Sequence, residues 1–399
     1  EKYRALSKLK NIDILKSPSD GHQIYKIIAC SEKKQITIRS TQQKTYHMLC
    51  VLRCRCGSSD VVISLIGAIT CDTHIVVAGD PHQLGPVIRN LDCFSTAKYF
   101  KGNGLDKSYL ERLMECEMYK PQKDPVTGRM IYNNEVVTKL LKNYRSNGEI
   151  LHIPNKLFYG SELEECANTT LSGSLRNWSH LPKRDFPLIF HGVWGKDERE
   201  GKSPSFFNAY EVSTVLDYVS KLLDTRSPKL QPRDIGIVTP YRRQVEKIRR
   251  QLEKQYKNSK ILINNIKVGS AEEFQGDERP VMIISTVRSS IDQLAYDHKY
   301  KLGFLRNPKR FNVSVTRAKA LLIIIGCPNV LATDEHWGAL LSYIKNNGGY
   351  IGREFSDDIV NIDDILAQFE KLNLVPTVDD DEGVGVIEAA EGPEWRAEH

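Results

Sequence analysis

Residues 235–244 read Ile235-Gly236-Ile237-Val238-Thr239-Pro240-Tyr241-Arg242-Arg243-Gln244. An unbroken apolar run stopped by Thr-Pro predicts a strand buried on both faces, with Pro240 in the first turn of a following helix. In that helix Val245, Ile248, Leu252 and Tyr256 form an apolar stripe. Arg242, Arg243, Lys247, Arg249, Arg250 and Lys254 occupy its other face. The same alternation recurs outward. Short apolar runs at His74–Ala78, Leu188–Phe190, Val281–Val287 and Leu321–Ile325 are the other expected strands. Asn208 with Glu211 predicts a capping-box start, followed by Val212, Val215, Leu216, Val219, Leu222 and Leu223 on one face. Trp337, Leu340, Leu341 and Ile344 form a third stripe, closed by Gly348-Gly349. Strand and helix in alternation predict an α/β fold, a doubly wound parallel sheet with right-handed crossovers. Ligands of such sheets sit at the carboxyl ends of the strands, so the segments just after each strand matter most.

The chain has 399 residues, enough for two or three domains; 40% are apolar and 27% charged, which excludes a wholly disordered or fibrous chain. No apolar run approaches the roughly 18–20 residues that cross a bilayer. The longest, Val61 to Cys71, is broken by Ser64 and Thr70. The sequence opens at Glu1 without a charged-then-apolar leader, so a fragment or processed piece is expected. Net charge is +6, unevenly placed: from Asp379 onward eight acids face one base, a net of −7, and the other 378 residues carry +13. A basic body with an acidic tail is compatible with a polyanion such as nucleic acid. Nine cysteines, an odd count, point to reduced thiols and an intracellular setting. Cys50, Cys54 and Cys56, with Cys30 nearby, lack the paired C-x2-C knuckles of zinc sites, so no metal is assigned to them. Residues 1–60 carry no assignable motif, and from about Asp357 the order fades into a weak helix and disorder.

Several of the connecting segments carry chemistry. Gly79-Asp80-Pro81-His82-Gln83-Leu84-Gly85-Pro86 forms a tight loop in which Gln83 either holds a water or terminal phosphate oxygen or stands solvated. In Asn143-Tyr144-Arg145-Ser146-Asn147 the guanidinium could grip phosphate while the ring stacks on a base; otherwise it is a surface loop. Thr239 and Pro240 open a helix that could bind phosphate or simply present a solvated basic face. Val268 to Glu278 leads into a buried strand ending Ser285-Thr286-Val287-Arg288, and Arg310 to Lys319 precedes the strand at Leu321.

Together GDPHQLGP, NYRSN, TPYRRQ, VGSAEEFQGDE with STVRSS, and FNVSVTRAK resemble, in order and spacing, motifs III to VI of superfamily 1 helicases. They are most similar to the RNA-helicase branch containing the nonsense-decay helicase. HGVWGKDEREGKSPSFFN, LGFLRNPKRFNV and the terminal GPEWRAEH resemble the Moloney leukaemia virus 10 family of putative helicases, the ending more than its germline branch. The resemblance implies two RecA-like domains with ATP and magnesium between them and single-stranded RNA across the top. It divides the chain into residues 1–60, unassigned; 61–136, a remnant of the first domain; 137–353, the complete second domain; and 354–399, an acidic tail. Carried over, Gln83 would sense the γ-phosphate, with Tyr144, Arg145, Glu278 and Arg317 completing the nucleotide site. Arg145 and Arg317 would act like arginine fingers, and Gln83, Arg145 and Arg317 form the catalytic set. Thr239, Pro240, Tyr241, Ser270, Thr286 and Arg288 would face RNA, with salt-sensitive contacts to phosphate and sugar. The resemblance further implies 5′-to-3′ translocation, a role in RNA silencing beside Argonaute-type proteins, and cytoplasmic ribonucleoprotein granules (P-bodies), with no membrane association.

The 399 residues contain no G-x-x-x-x-G-K-[ST] loop, and no Asp-Glu box ends a strand before Gln83. Asp379-Asp380-Asp381-Glu382 has no strand before it. The expectation is a truncated or mis-spliced helicase product with little or no ATPase activity, which leaves a non-catalytic RNA-binding or adaptor module as the rival reading.

Overall fold

A computed structural model describes residues 14–16, 23–28, 49–53, 74–85, 107–123, 125, 130–200, 205–259, 261–290, 304, 305 and 307–353. The acidic tail, Cys30, Cys54, Cys56 and the terminal GPEWRAEH lie outside them. The chain divides into two compact units, Glu1–Pro81 with Gly85–Thr138, and His82–Leu84 with Lys139–His399.

In the first unit, strands Ile14–Lys16, Gln23–Ile28, Leu49–Arg53 and His74–Ala78 hydrogen-bond in that order. The first pair is antiparallel and the rest are parallel. The segment without a motif thus supplies three of the four strands of this sheet. Helix Tyr109–Met114 starts on a capping box: the Glu111 N–H donates to Ser108 Oγ at 3.1 Å, and the Ser108 N–H donates to Glu111 Oε2 at 2.9 Å.

The second unit is built on six parallel strands: β1 (Leu188–Gly192), β2 (Ile235–Val238), β3 (Lys267–Gly269), β4 (Arg279–Ser285), β5 (Ala318–Gly326) and β6 (Tyr350–Gly352). Their order is β3-β2-β4-β5-β1-β6. In-register pairing aligns Val268, Ile237, Ile283, Ile323 and Ile189 across five strands, and one position on, Val238, Ile284, Ile324, Phe190 and Tyr350. Because strand side chains alternate, these two rows face opposite ways and seed two separate cores. Helices α2 (Ala209–Leu223) and α3 (Arg242–Tyr256) bury Val212, Val215, Val219, Leu222, Val245, Ile248 and Leu252 in the first core. Helices α1 (Gly148–Phe158), α4 (Pro308–Val315) and α5 (Glu335–Asn346) cover the second with Ile150, Phe311, Trp337, Leu340 and Ile344. The expected doubly wound α/β sheet is present.

Several local expectations change. Asn208 caps α2 through Oδ1, accepting from the Tyr210 and Glu211 N–H groups at 3.0 and 3.2 Å. Glu211 does not complete the box; its carboxylate turns away to the end of β4. Strand β4 stops at Ser285, two residues short of the expected Val287, because Val287 has φ +72° and leaves the ladder. Tyr241 is the N-cap of α3, so Pro240 stands outside the helix rather than in its first turn. Strands β3 and β6, three residues each, are too short for alternation to announce them. The close of α5 is as expected: Gly348 takes φ +75°, and the Gly349 N–H returns to the Ile344 carbonyl at 2.9 Å.

Candidate functional site

The segment Asn143–Asn147 is fixed by its own polar side chains. Asn143 Oδ1 accepts from the N–H groups of Arg145 and Ser146 at 3.0 and 3.1 Å, a tight Asx turn. Ser146 Oγ donates to the Ala318 carbonyl at 2.7 Å, and the Asn147 N–H donates to that of Lys319 at 3.2 Å. Asn147 Nδ2 donates to the Ala320 and Ser172 carbonyls at 3.1 and 3.2 Å, while its Oδ1 caps α1 through the Ile150 N–H at 3.0 Å. Ser146 and Asn147 are fully buried, so the surface-loop alternative fails for this half of the segment. Its polar atoms serve carbonyls of three successive residues of β5.

The staple aims Arg145. Its Nε donates to Glu278 Oε2 at 2.5 Å and its Nη1 to the Thr316 carbonyl at 3.2 Å. Lys319 Nζ reaches the other carboxylate oxygen of Glu278 at 2.8 Å. Burial pushes the Glu278 carboxyl up, but hydrogen bonds from Lys319 and Arg145 outweigh it and hold the group below its ordinary value. Arg317, almost fully buried, donates from Nε to the Val313 carbonyl at 3.2 Å and from Nη1 to that of Asp277 at 3.4 Å. Its Nη2 donates to Gln83 Oε1 at 3.0 Å. The backbone beside Gln83 is held in turn: Asn312 Nδ2 donates to the His82 carbonyl at 3.0 Å, and Gln275 Nε2 to that of Leu84 at 3.3 Å. Arg145 therefore bonds to Glu278 and Thr316, and Arg317 to Asp277, the chain neighbour of Glu278, to Val313 and to Gln83. Tyr144, next to Arg145, keeps 72% of its surface exposed.

This arrangement lies where strands β4 and β5 begin, not where they end. Glu278 and Arg317 precede strands, so for these two the expectation that the important segments follow the strands does not hold. Glu278 and Arg317 reach the amino edge because the turn at Gly276 (φ +81°) and the end of α4 deliver them just before a strand. Arg145 and Gln83 are bonded to them there, with Tyr144 beside Arg145 in sequence. Asp277 and Lys319 belong to the same cluster, and sequence reasoning passed over both. Asp277 takes Lys267 Nζ at 3.0 Å and Arg279 Nη1 at 2.5 Å. Burial raises its carboxyl, and these two cations bring it below the ordinary value. The legible signal was two acids in Asp277-Glu278 at the mouth of one strand and two cations, Arg317 and Lys319, at the mouth of its neighbour.

The other predicted residues gather at the opposite, carboxyl edge. The Thr239 N–H donates to the Gly269 carbonyl at 3.0 Å, and the Thr286 N–H and Oγ1 both donate to Ile325 O at 3.1 and 3.2 Å. Thr239, Tyr241, Thr286 and Arg288 are buried, while Pro240 and Ser270 are half-buried. Arg288 donates to Asp197 Oδ2 at 2.5 Å and lies 3.7 Å from the Phe206 ring centroid and 5.8 Å from that of Tyr241. A guanidinium so enclosed is retained by its paired carboxylate and the aromatic faces. Beneath it, Glu211 Oε2 accepts from Ser285 Oγ at 2.6 Å and from the Val287 N–H at 2.9 Å. Asn208 Nδ2 donates to the Val287 carbonyl at 3.2 Å and to Ser289 Oγ at 2.8 Å. These bonds fix the backbone of Val287, a β-branched residue in the left-handed region that costs about 1–3 kcal/mol. Burial pushes the Glu211 carboxyl up to about 8, against the lowering effect of its hydrogen bonds.

A sequence profile described as an AAA domain matches residues 105–329. The chain is 47% identical over 348 residues to "Putative helicase mov-10-B.1" of Danio rerio, covering 85% of this chain and 33% of that protein. It is 50% identical over 284 residues to "RNA helicase Mov10l1" of Homo sapiens, covering 70% and 22%. To "Probable RNA helicase armi" of Drosophila melanogaster it is 34% identical over 316 residues, covering 77% and 25%. The chain thus spans about a third or less of the length of these relatives.

Proposed function

The chain belongs to the AAA domain family and to the Moloney leukaemia virus 10 group of superfamily 1 helicases, and on that premise we propose that its second unit, of RecA-like fold, is the nucleotide- and RNA-binding motor lobe of an ATP-dependent RNA helicase. The observation that carries this reading is two side-chain pairs, Arg145 with Glu278 and Arg317 with Gln83, brought beside each other through the carbonyls of Thr316 and Asp277 at the amino edge of β4 and β5. Two guanidinium groups held within a shared backbone frame suit the charge that gathers on a triphosphate as its terminal phosphoryl group leaves. Exposed Tyr144 offers its ring to the base, and Glu278 with Lys319 keeps Arg145 extended rather than folded on the surface. ATP supplies the phosphoanhydride whose cleavage drives movement. Magnesium would enter with the nucleotide, held mainly by phosphate oxygens and water. Single-stranded RNA would lie along the carboxyl edge, near Thr239, Pro240, Tyr241, Ser270, Thr286 and Arg288. On this reading the parent helicase moves 5′-to-3′ and acts in RNA silencing beside Argonaute-type proteins in cytoplasmic granules.

A second reading, a non-catalytic RNA-binding or adaptor module, is favoured by one sequence observation: no P-loop lysine occurs in the 399 residues. Photo-crosslinking of the chain to azido-ATP and to single-stranded RNA separates the two. Labelling by ATP that falls at least fivefold in Arg317→Ala and Arg145→Ala supports the motor lobe. RNA labelling without nucleotide labelling supports the adaptor, and neither labelling sinks both.

A further inference from the structure

Trp194 follows β1 by two residues, on the carboxyl edge of the sheet that also carries Thr239, Thr286 and Arg288. It keeps 47% of its surface exposed, whereas Trp178 and Trp337 are buried. Exposure of one large ring is ordinary by itself; the way this one is held is not. On its amino side the Val193 N–H donates to the Gly326 carbonyl at the end of β5, at 3.0 Å. On its carboxyl side Asp197 is buried and receives Arg288 Nη1 at 2.5 Å, the Ser289 N–H at 3.3 Å and Ser290 Oγ. Gly195 between them packs so close to Asn208 that a Cβ there would lie 2.2 Å from the amide oxygen. Asn208 is the residue that grips the Val287 carbonyl. The amino flank of Trp194 is thus tied to the end of β5 and its carboxyl flank to the loop Thr286–Ser290. The backbone N–H of Arg353 donates to the Gly192 carbonyl at 3.1 Å, and its guanidinium lies 5.5 Å from the indole centroid.

We propose that Trp194, braced by Arg353 and by the Asp197 anchor, is a base-stacking platform for single-stranded RNA running along the carboxyl edge. A flat ring on rigid backbone stacks on a base at little entropic cost, whatever the base. The adjacent arginine both orients the ring and offers a donor to the neighbouring phosphate. Exposed Lys196 adds a second cation two residues away. The inference rests on the reading of this edge as the RNA face and adds to it a subsite that sequence motifs did not indicate.

The test is a titration of the full chain with fluorescein-labelled oligo(U), read by anisotropy, and with unlabelled oligo(U), read by intrinsic tryptophan emission. Trp194→Ala is expected to weaken binding roughly 5- to 100-fold, the range that loss of one base stack produces. Trp194→Phe keeps a stacking ring, so affinity should stay within about threefold while the RNA-induced quenching of tryptophan emission disappears. Wild-type chain that binds no RNA would overturn the RNA-face reading itself. Wild-type chain that binds RNA, with Trp194→Ala equally tight or quenching intact in Trp194→Phe, would overturn only the stacking platform.

Discussion

Asn147 shows how much one side chain does here. Its amide is simultaneously an N-cap for α1 and a double donor to buried carbonyls of Ser172 and Ala320. Asn147→Ala removes the cap and leaves two buried carbonyls without that donor, an expected loss of about 2–4 kcal/mol in urea unfolding. Asn147→Asp keeps the acceptor but sets a carboxylate against both carbonyls, so it should destabilise at least as much; a mild effect of either change would show that the staple is dispensable. A single polar letter in a turn reveals none of this, because its partners lie 25 and 173 residues away. Arg317 was legible as a candidate from its place in FNVSVTRAK; its bond to Gln83, 234 positions distant, was not.

Among the elements, α3 is read most directly from sequence. Its apolar stripe is the buried face, and its cations are partnered from three directions: Arg242 and Arg243 by Glu246, Lys247 by Glu200, and Arg249 by the Val268 carbonyl. Ile248, fully buried against the sheet, is expected to cost about 2–5 kcal/mol when changed to Ala, while Arg250→Ala on the exposed face should stay within about 0.5 kcal/mol. Equal effects in chemical denaturation would mean that the helix is not docked as described. The start of α2 was less legible. Asn208-x-x-Glu211 has the letters of a capping box, but a glutamate at that position can reach either its own cap or a neighbouring strand. Here the N–H of Val287 and the hydroxyl of Ser285 win it. The strands Ile14–Lys16, Gln23–Ile28 and Leu49–Arg53 were the converse: pairing with neighbours, rather than a readable pattern, defines them.

At the scale of the whole molecule, the raised Glu211 carboxyl couples folding to pH. The folded chain keeps this proton up to about pH 8, whereas an unfolded glutamate releases it near the ordinary 4.5. The folded state then binds more protons than the unfolded one, so this contribution to stability is full below pH 4.5 and is lost as pH rises toward 8. The slope is at most about 1.4 kcal/mol per pH unit. Glu211→Gln should remove that slope, which unfolding midpoints at pH 5 and pH 8 would read; parallel profiles for the two proteins would refute it. The amino-acid sequence by itself determined the alternating α/β order, which faces of α2, α3 and α5 are buried, and the family, because periodicity and motif spacing are local properties. Tertiary structure alone decided that the nucleotide candidates sit at the amino edge and the RNA candidates at the carboxyl edge, and that Lys319, Asp277 and Trp194 join them. Those assignments depend on which strands lie side by side, and chain order does not fix adjacency in a doubly wound sheet.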